Sequence, residues 1–223
     1  MKNTVSLFMF LLAANYMMAQ NSDGLKSMTE LSDGVFANKR GESNYIAGSP
    51  YENEANSMGF FYLKDKRMIK KETKLNSYHN NFEYVDNGKK YLVDASYIDS
   101  VIVDGTAYVY KTFSVSGKNI LRIVKVIDRR RANAIYYYRG VELLPEIKSA
   151  GYIDPKPARF EWQDPIYLFE TGDKIIVLNN FKEFTTVFPG KENEIKKFIK
   201  ENRIRKDKPD ELKKLLECLF RFH

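Results

Sequence analysis

The chain has very little of the chemistry that nucleophilic and metal-dependent enzymes use, with one cysteine and two histidines among 223 residues. Cys218 alone excludes an intramolecular disulfide, and it falls on the apolar face of a predicted helix, where a thiol acts as a small hydrophobe. His223 is the last residue, so a catalytic triad would have to use His79, and no nucleophile-elbow sequence accompanies it. The glycines stand singly in turns and form no phosphate-binding loop. We therefore expect no metal site, no cofactor and no enzymatic activity.

Long hydrophobic runs are also missing, apart from one near the start of the sequence. Val5 to Ala14 is an apolar stretch of about ten residues, which is too short for an ordinary membrane-spanning helix. Lys2 precedes it and Ala19 offers a small residue for cleavage, so residues 1–19 have the pattern of a signal peptide. No cysteine follows the stretch, which excludes a lipoprotein signal. The sequence predicts export to the periplasm or the periplasmic face of the outer membrane, with the extracellular space as the alternative.

Basic residues outnumber acidic ones by 36 to 29, which gives a formal net charge of +7. They cluster at Lys64 to Lys74, at Arg129-Arg130-Arg131 and at Lys191 to Lys214. An exported protein meets lipid headgroups, acidic glycans and acidic protein surfaces rather than nucleic acid, so we expect no nucleic-acid partner and leave peripheral membrane contact open. Glutamate and aspartate interrupt the clusters, and an ordinary solvated surface is the alternative interpretation.

The ordered part of the chain is predicted to be a series of antiparallel hairpins. Residues 20–49 are polar and small and are interpreted as a flexible arm, and residues 50–223 as one domain. Asn87-Gly88 lies between two β-prone runs, and this dipeptide favours the type I′ turn of a tight hairpin. Further turn signals recur about every 8–12 residues, a spacing typical of an all-β sandwich or barrel. Pro145 to Pro165 interrupts this pattern and is interpreted as a long loop or an excursion at the edge of the sheet.

The last part of the chain predicts one or two amphipathic helices. Ile195, Phe198 and Ile199 repeat at helical spacing, and Pro209 suits the first position of a second helix. The apolar stripe of that second helix consists of Leu212, Leu215, Leu216, Leu219 and Phe220. The predicted fold is therefore mainly β, an antiparallel β-meander in the form of a barrel or sandwich, with C-terminal amphipathic helices packed on it.

Several short segments resemble a group of exported Bacteroidota proteins of uncharacterised function. They are Gly48-Ser49-Pro50-Tyr51, Ile98-Asp99-Ser100-Val101, the hairpin 167–178 and the tail 191–219, together with the signal ending at Ala19-Gln20-Asn21. The resemblance implies an extracytoplasmic location in a bacterium with two membranes. It carries no known activity and no catalytic residue.

Aromatic residues are unusually frequent, with fifteen tyrosines and fifteen phenylalanines. Strand side chains alternate, so in Tyr136-Tyr137-Tyr138 the outer two share one face and Tyr137 takes the other. At least one of the three is then exposed, unless both faces are covered. Exposed tyrosine and tryptophan are typical of protein and sugar contacts, whereas cross-strand pairing within the sheet is the alternative. We predict a binding site containing Tyr136, Tyr138 and Trp162, with Arg129, Arg130 and Arg131 as a charged rim.

Three classes of function remain open. The first is an exported, non-enzymatic interaction or scaffold protein of the cell envelope, whose partner is another envelope protein or a glycan. The second is a small-ligand or glycan binder that uses an aromatic face or a barrel mouth. The third is a hydrolase, because Glu161 and Asp164 flank Trp162 and glycosidases place paired acids beside aromatic residues. The missing catalytic motifs place the first class ahead.

Overall fold

The computed structural model describes residues 46–86, 88–148 and 154–219. The predicted signal peptide and residues 20–45 of the predicted arm lie outside the described residues. Within those residues, every paired strand is antiparallel, and the helices follow the last strand, so the predicted meander with C-terminal helices is confirmed. The described strands do not close into a barrel. No described helix is both long and apolar enough to cross a membrane.

Ten strands form one sheet in the order β12-β11-β8-β7-β6-β5-β1-β2-β3-β4, and β9 pairs with β10 separately. The strands are β1 (Ser57–Leu63), β2 (Met68–Asn76), β3 (Asn81–Asp86), β4 (Lys89–Leu92), β5 (Ile98–Val103), β6 (Thr106–Val115), β7 (Lys118–Arg130), β8 (Asn133–Tyr138), β9 (Val141–Leu144), β10 (Arg159–Trp162), β11 (Ile166–Thr171) and β12 (Lys174–Val177). The helices are α1 (Lys182–Val187), α2 (Glu192–Glu201) and α3 (Pro209–Leu219).

Two details of the predicted strand pattern are wrong. The run from Leu75 to Val85 is not one strand, because a turn at residues 77–80 separates β2 from β3, with Asn80 at a φ of 53°. Trp162 lies in strand β10 and not in a loop. The predicted tight hairpin is present, since β3 and β4 pair from Asp86 and Lys89 outward and Gly88 has a φ of 77°.

The two halves of the sheet curl in opposite directions around the shared strands β6 and β7. Tyr108 of β6 and Ile123 of β7 belong to a core built on β1, β2, β3 and β5. Phe113 of β6 and Val124 of β7 belong to a different core built with β8, β11 and β12. Since alternate side chains of a strand point to opposite faces, these two cores lie on opposite faces of the sheet. We call strands β1–β5 the N-half and strands β8, β11 and β12 the C-half.

Contacts between distant strands confirm the curl of each half. Phe82 of β3 packs edge-on against Tyr108 of β6, with ring centroids 5.5 Å apart, although four steps in the sheet order separate their strands. In the C-half, β12 packs against β6, again across four steps. Each half therefore wraps its own core. The helices cover the outer side of only one of the two halves.

The helices cover the outer side of the C-half. Ile135, Tyr167 and Phe169 of the sheet form one cluster with helical side chains. The apolar stripe of α3 is completely buried there, at Leu212, Leu215, Leu216 and Leu219. Each fully buried leucine contributes about 1.5–3 kcal/mol through the hydrophobic effect. The prediction that the helices pack on the sheet is confirmed, and strand β8 is consequently covered on both faces.

Candidate functional site

The three consecutive tyrosines alternate between faces as predicted, but both faces of their strand are covered. Tyr136 is fully buried, and Tyr137 and Tyr138 are half-buried. Tyr137 packs edge-on against Tyr167 on the helix side, and Tyr138 packs edge-on against Phe113 on the other side. In this structure Tyr136 therefore offers no surface to a partner, and its role is inside the fold.

Tyr136 is part of a polar cluster that joins four strands, which we call the Glu170 cluster: Lys111, Arg129, Tyr136 and Glu170. Glu170 accepts hydrogen bonds from the Tyr136 hydroxyl and from Lys111 Nζ, the latter at 2.5 Å. Arg129 Nη2 donates to the Tyr136 hydroxyl oxygen at 2.8 Å. The cluster thus links β6, β7, β8 and β11 at one end of the apolar core of the C-half.

The electrostatics of the cluster favour a charged Glu170 and a neutral Tyr136. Burial raises the pKa of Tyr136, and the hydrogen bond to Glu170 raises it further. Burial alone would raise the pKa of Glu170, but the hydrogen bonds from Lys111 and Tyr136 outweigh it, and the net pKa lies below the usual value. Tyr136 is therefore a hydrogen-bond donor at neutral pH and not a base.

The three consecutive arginines do not form one rim. Arg129 enters the Glu170 cluster, whereas Arg130 donates to Glu217 of α3 at 2.8 Å and to Asp128 at 3.0 Å. Arg131 occupies the turn after β7, with a φ of 49°. A bulge in the pairing of β7 with β8, between Val126 and Asp128, shifts the alternation just before the arginines.

Trp162 lies apart from the Glu170 cluster. The guanidinium carbon of Arg139 sits 5.2 Å from the centre of its ring, a cation–π contact. Tyr138 is near this region, because its hydroxyl oxygen would lie 3.0 Å from a Cβ at Gly140, whose carbonyl accepts a hydrogen bond from Gln163 at 2.9 Å. The structure therefore separates the predicted binding residues: Tyr136 lies with Arg129, Tyr138 lies near Trp162, and Arg130 and Arg131 lie in neither place.

Of the two acids that flank Trp162, Glu161 does not share a face with its ring. Glu161 and Trp162 are neighbours in strand β10, so their side chains point to opposite sides. Glu161 is exposed, faces Glu142 across the strand pair and lies 3.6 Å from Arg159. Asp164 is exposed beyond the end of the strand. Glu161 therefore does not lie beside the face of the Trp162 ring, as the hydrolase alternative would require of that acid.

A different set of residues forms an exposed apolar surface, on the outer side of the N-half. We call it the outer strip: Met58, Phe60, Tyr62, Met68 and Ile102. Tyr62 stands directly opposite Met68 across β1 and β2, and Phe60 stands opposite Ile102 across β1 and β5. Met58, Tyr62 and Met68 are 40%, 39% and 50% exposed. Strand β1 is apolar on both faces, which was the sequence signal for this surface.

Two of the cavities on the described part of the molecule are each lined by four charged side chains. The larger has a volume of about 630 Å³ and opens where β5 parts from β6, and we call it the basic cavity. Its charged and serine lining consists of Lys64, Ser96, Asp99, Ser100, Lys111 and Arg129. The smaller, about 230 Å³, opens beside the core of the N-half and places two lysines, Lys74 and Lys125, against two acids, Glu52 and Asp104. Of these two, the larger has an excess of positive charge among its lining residues and the smaller has none.

Sequence reasoning missed most of these residues because their contacts are distant along the chain. Lys111 and Glu170 are 59 residues apart and meet only because the C-half curls. Among the described residues, no group of three or more histidine, cysteine, aspartate or glutamate side chains is placed to hold a metal ion.

Comparison of the chain with family models, curated proteins and solved structures finds no match. The arguments about function therefore depend on the residues of this chain.

Proposed function

We propose that this chain is an exported, non-enzymatic interaction protein of the bacterial cell envelope, and that it binds an acidic partner protein through the outer strip. The outer strip is the observation that carries the proposal. Exposed aromatic and methionine side chains in a continuous patch are typical of protein interfaces. Export is supported by the pattern of residues 1–19.

The charges beside the outer strip favour an acidic partner. Lys70 lies over the Phe60 ring, with its Nζ 5.6 Å from the ring centre, so a cation stands directly beside the apolar contact surface. Lys90 is paired opposite the exposed Val85 farther along the same face. One acidic residue, Glu72, stands opposite Met58 of the outer strip. Complementary charge speeds association and makes it sensitive to salt.

Site-specific photocrosslinking in the native cell tests the proposal. A photoreactive phenylalanine analogue is placed at Tyr62 or at Met68, and Ile147, which is 41% exposed outside the outer strip, serves as the control position. We expect the two outer-strip positions to crosslink one and the same protein, with the control position giving none of it. Equal crosslinking from Ile147 would contradict the proposed surface.

Binding measurements with that purified partner follow. A Tyr62→Ser, Met68→Ser variant should fold normally and bind more weakly by over about 1 kcal/mol, as is usual when anchoring aromatic residues are truncated. Unchanged affinity would remove the outer strip from the interface. Soluble glycan turnover that is abolished by Glu161→Gln would instead favour an enzyme.

A further inference from the structure

The basic cavity has the size and the polar groups of a small-molecule site. It shares no residue with the outer strip but lies next to it, because Ser100 of its lining stands opposite Tyr62 across β5 and β1. Its volume of about 630 Å³ lies within the range of about 300–1,000 Å³ that is usual for ligand pockets. Ile98, Val109 and Leu121 supply apolar lining, and Ser96 and Ser100 supply hydroxyl groups. Such a combination of apolar walls with a few polar groups is typical of sites that bind an organic ligand in one orientation.

Arg129 is held in place at the edge of this cavity by the Glu170 cluster. Its Nη2 donates to the Tyr136 hydroxyl, which is itself fixed by donation to Glu170, and the Tyr136 ring is fully buried. Among the described residues this is the only hydrogen bond that the guanidinium makes. The same Nη2 also lies 3.9 Å from Glu170 as an ion pair, and half of the side chain is exposed. An oriented guanidinium with free N–H groups suits the planar oxygens of a carboxylate or phosphate.

The charges that line the cavity sum to a positive value. Lys111 is matched by Glu170 at 2.5 Å. Lys64 and Arg129 then face one acid, Asp99. The backbone N–H of Lys64 donates to the carbonyl of Tyr97 at 2.9 Å, which anchors that lysine at the rim. One cation is therefore left over for a ligand anion.

Asp99, Ser96 and Ser100 narrow the class of ligand. A carboxylate beside two hydroxyl groups accepts hydrogen bonds from several donors. A sugar has several hydroxyl donors spread over its ring, whereas inorganic phosphate at neutral pH has only one or two on a single small ion. We propose that the basic cavity binds an acidic sugar, with its carboxylate or phosphate on Arg129 and Lys64 and its hydroxyl groups on Asp99, Ser96 and Ser100.

Titration of the purified protein with sugars tests the proposal. Binding is followed by calorimetry and by the NMR chemical shifts of the backbone amides. The probes are glucuronate and glucose 1-phosphate, with neutral glucose and inorganic phosphate as comparisons. We expect both acidic sugars to bind, with amide shifts in residues 96–100 and 109–111, and the affinity to fall as salt is raised. Binding of glucose with the same affinity, or of inorganic phosphate as tightly as glucose 1-phosphate, would overturn it.

Three variants assign the binding to the cavity. Arg129→Gln should weaken binding about tenfold to a hundredfold, the usual effect of losing a hydrogen bond to a charged group. Lys64→Gln tests the same cavity without touching the Glu170 cluster and should weaken binding by a smaller factor. Lys196→Gln, an exposed lysine on α2, is the matched control and should bind like the wild type. If neither cavity variant weakens sugar binding, the proposal is wrong. None of the three variants changes a residue of the outer strip, so partner binding is tested separately.

Discussion

The N-half and the C-half of the sheet differ in what covers their outer faces. In the C-half, Ala134, Ile135 and Tyr136 of β8 are at most 1% exposed, because one face lies in the curl of the sheet and the other lies under the helices. In the N-half, Phe61 is 1% exposed whereas its neighbour Tyr62 is 39% exposed. Two strands with similar apolar composition therefore differ in burial, because β8 is covered on both faces and β1 has one face that stays partly exposed.

Removing the cover of the C-half should have the largest effect on stability. Leu216→Asp places an unpaired carboxylate among the fully buried side chains between α3 and the sheet. We expect a loss of about 5 kcal/mol or more, comparable with the whole stability of many domains. Urea denaturation checks this, with Lys214→Asp on the exposed side of α3 as the control. Equal midpoints for the two variants would mean that α3 is dispensable.

Neighbouring residues of β1 should differ sharply in their contribution to stability. Phe61→Ala removes a buried ring from the core of the N-half and should cost about 3–5 kcal/mol. Tyr62→Ala removes a ring that is 39% exposed among the described residues and should cost about 1 kcal/mol or less. The measurement is the free energy of unfolding of both variants. A large loss for Tyr62→Ala would show that something covers the outer strip in the isolated protein.

The Glu170 cluster should give the C-half a pH-dependent contribution to stability from a partly buried carboxylate. Glu170→Gln leaves the Lys111 ammonium without its carboxylate and should cost about 1–3 kcal/mol at pH 7. The folded-state pKa of Glu170 is lowered, so its contribution is present above the carboxyl pKa of the unfolded chain and is lost as pH falls through the folded pKa.

Unfolding of the wild type and of Glu170→Gln is therefore compared at pH 7 and at pH 3. The difference in the free energy of unfolding between the two proteins should be smaller at pH 3 than at pH 7. Tyr136→Phe is the companion variant, because it keeps the buried ring and removes only the hydroxyl. A difference that is independent of pH would mean that the charge of Glu170 does not stabilise the fold.

The ion pair between Arg130 and Glu217 should have the smallest effect of these four. It links the end of β7 with α3 at 2.8 Å, but both side chains are about half exposed. Solvent and salt screen such pairs, so its loss should be barely measurable. A double-mutant cycle with Arg130→Gln and Glu217→Gln, at low and high salt, measures the coupling. A large coupling energy that persists at high salt would mean that this ion pair stabilises the packing of α3 on the sheet.

The local features of the fold could be predicted from the sequence, because they depend on residues that are close in the chain. The turn at Gly88 needs a positive φ, and the leucine stripe of α3 repeats at helical spacing, so both were predicted correctly. The alternation of Tyr136, Tyr137 and Tyr138 was also correct, because it follows from the geometry of any strand. The binding residues were chosen from such local patterns, and only a few of them lie together.

Which faces are covered was decided by the tertiary structure alone. An apolar strand face looks the same in the sequence whether helices cover it, as at Ile135, or nothing described covers it, as at Tyr62. The Glu170 cluster and the basic cavity likewise exist because the C-half curls and because β5 parts from β6. Burial and charge pairing depend on contacts between residues far apart in the chain, and local periodicity carries no information about those contacts.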